Sequence, residues 1–107
     1  MGLISSSYRM MYLMAYKNSL ETKLQWIAES KMELAASSDE ILALGSDLDP
    51  QNPAVKQLKA RKNKLDALEK RLDMQVKEYQ NRLQMIEAEL KSCENDMKTS
   101  IETSFTY

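Results

Sequence analysis

From Leu65 to Ile101 an apolar side chain returns at Leu65, Leu68, Leu72, Val76, Tyr79, Leu83, Ile86, Leu90, Cys93, Met97 and Ile101. Those ten steps cover thirty-six residues, a mean of about 3.6, the period of a straight α-helix. No glycine or proline interrupts the run. A straight helix of this length cannot fold back on itself to cover its own apolar stripe. It needs neighbours, and that requirement governs what the rest of the chain can be.

The remainder is helix-forming as well. The 107 residues allow one structural unit, with 43% hydrophobic and 29% charged residues, two Gly and two Pro. Leu, Lys, Glu, Ala, Met and Gln are good helix formers, while Val occurs only twice and no alternating strand pattern occurs. The first helix is predicted over about 7–44. Its spine is a seven-residue repeat, Leu13, Leu20, Ile27, Leu34 and Ile41, with Leu48 beyond the end and Leu24 in support. Lys17, Lys31 and Ser38 take the companion positions, so the seam is narrow and suits a slender partner helix.

Gly45 follows Leu44 and reads as the residue that ends this helix, since glycine adopts positive φ cheaply. The turn spans 45–52. Pro50 and Pro53 push Asp49 and Asn52 out of helical geometry, which makes Asn52 an N-cap with Pro53 at the first helical position. The second helix is predicted over about 53–103. Its surface carries acid-first i,i+4 pairs such as Asp73–Lys77, Glu78–Arg82 and Glu87–Lys91. Leu68, Tyr79, Leu90 and Ile101 also recur every eleven residues, which predicts a straight helix out of step with the heptads of the first.

Chemistry is sparse. The chain has no histidine, so neither a Cys–His nucleophile pair nor a histidine metal site can form. Cys93, the single cysteine, falls at a core-facing position where a small apolar group suffices. Asp47, Asp49 and Asn52 mimic part of a calcium loop. They lack its central Gly and terminal Glu, and Pro50 falls inside. No cofactor, metal or catalytic activity is expected. The net charge of −1 offers no bulk attraction to nucleic acid, although Lys56, Lys59, Arg61, Lys62 and Lys64 form a local basic run without interleaved aromatics. No transmembrane segment and no cleaved signal peptide are read from the sequence, since no stretch approaches about 20 apolar residues. Gly2 with Ser6 matches the short N-myristoylation pattern, which has meaning only in a eukaryotic host.

The chain's two ends are more apolar than its middle. Tyr8, Tyr12 and Tyr16 share one helix face, with Met10, Met11, Leu13 and Met14 around the rest. A helix apolar nearly all round is normally enclosed on all sides. Trp26 reads as a core or interface anchor. Near the other terminus, Met97, Ile101, Phe105 and Tyr107 need a similar cover.

At the turn and the C-terminus the chain resembles the needle subunits of bacterial type III secretion systems. Those small helical hairpins carry a P-x-[DN]-P turn, matched by Pro50-Gln51-Asn52-Pro53, and a terminal Ile followed four residues later by Phe, matched by Ile101 and Phe105. The resemblance covers the second half of the chain. The extra turns in both helices also suit flagellin-type or sheath-type filament proteins. It implies export without a cleaved signal peptide, an export chaperone, and assembly outside the cell into a hollow filament that buries the C-terminal segment.

The expectation is therefore an all-α, long two-helix antiparallel hairpin, coiled-coil-like, that completes its core by self-assembly. Contacts between copies are expected at Tyr8, Tyr12, Tyr16, Leu90, Met97, Ile101, Phe105 and Tyr107, with Gly45, Pro50, Asn52 and Pro53 forming the turn. The alternative expectation is a cytoplasmic binding module, prefoldin-like or a secretion chaperone, forming a small closed oligomer.

Overall fold

The computed structural model describes residues 2–106, with side chains through residue 104. Two helices make up nearly all of it, α1 over Leu3–Ser46 and α2 over Pro53–Thr106, and no strand occurs among the described residues. The fold is an all-α helical hairpin. Helix α1 begins four residues ahead of the expected start. The Ser6 N–H donates to the Gly2 carbonyl at 3.2 Å, so the Ser5–Ser7 run lies inside the first turns.

Contacts divide the hairpin into two units. A terminal unit joins Met1–Leu24 to Glu78–Tyr107, and a turn unit is Gln25–Lys77. In the terminal unit α1 turns Ser6, Met10, Leu13, Lys17, Leu20 and Leu24 inward, buried or half-buried. Opposite them α2 supplies Tyr79, Leu83, Ile86, Leu90, Cys93 and Met97. The turn unit continues both series, with Ile27, Lys31, Leu34, Ser38, Ile41 and Gly45 on α1. Its α2 side presents Val55, Leu58, Lys62, Leu65, Leu72 and Val76.

The steps alternate between three and four, except for one step of seven from Leu65 to Leu72 across exposed Glu69, and this is the seven-residue seam of paired helices. This corrects the eleven-residue reading of α2. Leu68 and Ile101 are exposed, because a residue meets α1 only by returning at the same mean step as the α1 seam. The spacing of about 3.6 comes from ending the run at Ile101, one position past the seam, while Leu68 makes an eleven-residue repeat that the seam does not share.

The turn is built by its own side chains. The Asp49 carboxylate accepts the Gln51 N–H at 3.0 Å, and the Asp49 carbonyl accepts the Asn52 N–H at 2.8 Å. Asn52 Oδ1 then accepts the Ala54 N–H at 3.0 Å, capping α2 with Pro53 as its first residue. The reading of Gly45 as a positive-φ stop is corrected. No described residue has positive φ, and Gly45 lies within α1. The helix ends one residue later, where the Ser46 hydroxyl donates to the Ala43 carbonyl at 2.8 Å and Asp49–Pro50 enforces extended backbone.

Candidate functional site

In the terminal unit, the buried cluster is Leu13, Leu90 and Cys93, with Met10 and Ile86 packed against it. The Cys93 thiol donates to the Ser6 carbonyl at 3.0 Å, tying the start of α1 to α2. Two cations of α1 reach across to α2 carboxylates. Arg9 meets Glu89 at 3.7 Å and Lys17 meets Glu87 at 3.9 Å. Glu87 thus serves α1, whereas Glu78 pairs along its own helix with Arg82 at 2.5 Å.

Because Lys17 holds a seam position and Arg9 flanks the seam, the opposite face of α1 is left without charge over its first four turns. Ile4, Tyr8, Met11 and Ala15 follow one another there at steps of four, three and four, with Tyr12 beside Met11. Tyr8 is 70% exposed and Tyr12 68%, and Ile4 and Met11 are exposed with them. Tyr12 also stacks on Tyr16, ring centroids 6.4 Å apart and planes 19° from parallel. Half-buried Tyr16 leads from the stripe into a shallow groove lined by Leu13, Met85 and Ile86, with Arg82 and Glu89 alongside. On another flank, Met10, Met97 and Ile101 line an apolar hollow bordered by Glu94, Lys98 and Glu102.

Placement of the expected contact residues is therefore mixed. Tyr8, Tyr12 and Ile101 are exposed, and Tyr16 and Met97 are half-buried. Leu90 requires correction. It is 9% exposed and packs within the chain against Leu13 and Cys93, because it holds a seam position of α2. The Phe105 side chain and Tyr107 lie outside the described residues. Sequence reading missed Ile4 and Met85, although the four-residue step from Ile4 to Tyr8 was visible.

The turn unit has a different seam. Lys31 occupies one position and forms an ion pair with Asp73, drawing that carboxylate away from Lys77. This hydrogen bond is the main cause that holds the Lys31 ammonium above its usual range, with Asp73 and Glu69 charges adding and desolvation opposing. Half-buried Lys62 meets Asp66 at 4.0 Å. Near the turn, Ile41, Leu42, Val55 and Leu58 line an apolar hollow beside Gly45. Trp26 is exposed rather than anchored in the core, together with Met32, Leu42 and Leu44.

Among the described residues no group of three or more His, Cys, Asp or Glu is placed to hold a metal ion. No described helix is long and apolar enough to cross a membrane. The surfaces are thus apolar stripes and charged faces around a thin core. Five hydrophobic residues are buried, against fourteen large ones exposed among the described residues. Comparison with protein-family models, with curated proteins and with solved structures gives no match.

Proposed function

We propose that this chain is a non-enzymatic structural subunit that assembles with copies of itself into a helical filament or tube. The carrying observation is the outward stripe Ile4, Tyr8, Met11 and Tyr12, which is apolar, uncharged and exposed on a helix whose other face already forms the core. Full burial of Ile4 and Met11 is worth roughly 3–6 kcal/mol in gross terms, at about 1.5–3 kcal/mol each, and the two tyrosine rings add apolar area at the cost of seating their hydroxyls. Association costs about 4–15 kcal/mol. One stripe is thus marginal alone, and a contact repeated along a polymer makes it decisive.

The turn Pro50-Gln51-Asn52-Pro53 and the Ile101–Phe105 spacing support a secretion-needle-like appendage, exported without a cleaved leader and assembled outside the cell with an export chaperone as earlier partner. A second reading rests on the exposed methionines Met11, Met14, Met32, Met74 and Met85. Flexible thioethers suit varied apolar clients, which favours a cytoplasmic binding module in a small closed oligomer.

Sedimentation across a concentration series with negative-stain imaging separates the two. A polymer grows with concentration, whereas a closed oligomer holds one mass. The variant Tyr8→Ser/Met11→Ser/Tyr12→Ser is expected to stay helical and to raise the concentration needed for assembly by at least about a hundredfold. Unchanged filaments from that variant would remove the stripe from the contact.

A further inference from the structure

The turn unit carries opposite charges on its two outer faces. On α1, Glu29, Glu33, Asp39 and Glu40 are all exposed, and the one lysine of this stretch, Lys31, points into the seam. Glu29, Glu33 and Glu40, at steps of four and seven, lie on the side of α1 turned away from α2. On α2, Lys56, Lys59, Arg61, Lys64, Lys70 and Arg71 are all exposed. The nearby acids Asp66 and Asp73 are half-buried and engaged by Lys62 and Lys31, and exposed Glu69, a seam-side position between them, adds its charge to Lys31. None of these ten exposed charges forms an ion pair among the described residues, so each face keeps an excess of one sign.

We propose that the basic α2 face of one copy docks on the acidic α1 face of the next, so that charge fixes the register in which copies stack. This rests on the self-assembly reading and names the surface that would orient it. The internal levels of the unit fit a contact between copies aligned side by side. Gly45 lies level with Leu58, and Lys31 pairs with Asp73. By the same offset Glu33 stands level with Lys70 and Arg71, and Asp39 and Glu40 with Lys64. Two copies placed in parallel without axial shift therefore bring acids of one against bases of the other.

The contact joins two different faces, so each new copy presents the same unsatisfied face as the last. Such head-to-tail contacts generate open filaments or large rings rather than closed dimers. An anionic polymer would meet the basic face alone and leave the matching acidic face unexplained. A second copy accounts for both.

The test is a charge-swap pair in the full chain, with helicity checked by circular dichroism. Glu29→Lys/Glu33→Lys/Glu40→Lys makes both faces basic, and Lys56→Glu/Lys59→Glu/Lys64→Glu/Lys70→Glu/Arg71→Glu makes both acidic. Each variant alone is expected to need at least about tenfold more protein to assemble than the unaltered chain. An equimolar mixture should restore assembly to within about threefold, since every contact again joins opposite charges. Raising salt from roughly 0.05 M to 0.5 M should weaken assembly of the unaltered chain, the reverse of a purely apolar contact. Normal assembly of either helical variant alone, or no rescue on mixing, would overturn this contact while leaving the apolar stripe in place. Loss of short duplex DNA binding in the acidic variant, with assembly unchanged, would also overturn it and reassign the basic face to polyanions. An unaltered chain that never exceeds a small fixed mass would remove the self-assembly reading itself.

Discussion

The two units use the same seven-residue seam for different ends. In the terminal unit the seam is mostly apolar, with Leu13, Leu20, Leu90 and Cys93 buried, and the outer face of α1 is apolar as well. In the turn unit Lys31, Ser38 and Lys62 interrupt the seam, Ile27 is its one buried hydrophobe among the described residues, and the outer faces are charged. A polar interruption weakens a seam but restricts which pairings are tolerated, because an ammonium must find a carboxylate when its surroundings dry out. Stability is therefore expected to sit in the terminal unit and selectivity in the turn unit.

The largest effect that could break this comparison comes from truncating one seam residue in each unit. Leu13→Ala removes a side chain 3% exposed against Leu90 and Cys93, and should cost about 2–5 kcal/mol. Ile41→Ala, half-buried beside the apolar hollow near the turn, should cost below about 2 kcal/mol, because its neighbours already leave it partly wet. Urea denaturation at concentrations too low for assembly measures both. Equal losses would mean that the two seams are equivalent.

Much of this was legible in the sequence, and the failures have specific causes. The α1 spine Leu13, Leu20, Ile27, Leu34 and Ile41 lies in the seam as its spacing requires, and Asn52 caps α2. A heptad with one apolar series is readable because nothing else on that helix competes with it. On α2, Leu68 and Ile101 are apolar but each one position off the seam, and ending the run at Ile101 lifts its mean step from about 3.5 to about 3.6. Leu90 lies on the apolar run that needs a neighbour, but its partner Leu13 is 77 positions earlier, so spacing alone does not say whether the cover comes from α1 or from another copy. The outer stripe was half seen through its tyrosines. Its separation from the seam depends on where Arg9 and Lys17 point, which is settled only by Glu89 and Glu87 across the pair.

At the turn, two single changes should move stability in opposite directions. Asn52→Ala removes the Oδ1 that accepts the Ala54 N–H and should cost about 0.5–2 kcal/mol. Gly45→Ala should instead add about 0.5–1 kcal/mol, since Gly45 is helical without positive φ. The new Cβ would meet Leu58 Cδ1 at 3.9 Å, an ordinary contact that fills part of the hollow. Thermal melts of both variants decide the matter. A destabilised Gly45→Ala would mean that the glycine is needed for its backbone after all.

The smallest effect concerns the charge inside the turn-unit seam. Lys31 is held above its ordinary pKa of 10.5, chiefly by its hydrogen bond to Asp73, and its side chain remains 37% exposed. A cation whose pKa is raised on folding contributes stability that is fully present below the unfolded value. It is lost as pH rises through the folded value, so the contribution should be flat across neutral pH and fade above about 10.5. Solvent and salt screen a pair this exposed, so the loss should be slight and smaller still at high ionic strength. Lys31→Met should abolish that alkaline component while retaining the helix-favouring stem that covers the seam. Matched denaturation series at pH 8 and at roughly pH 11 would show it as a difference between the two chains. If both lose the same stability, Lys31 does not link the two helices in solution. The contrast between an apolar terminal seam and a charge-coupled turn seam would then reduce to a difference in burial alone.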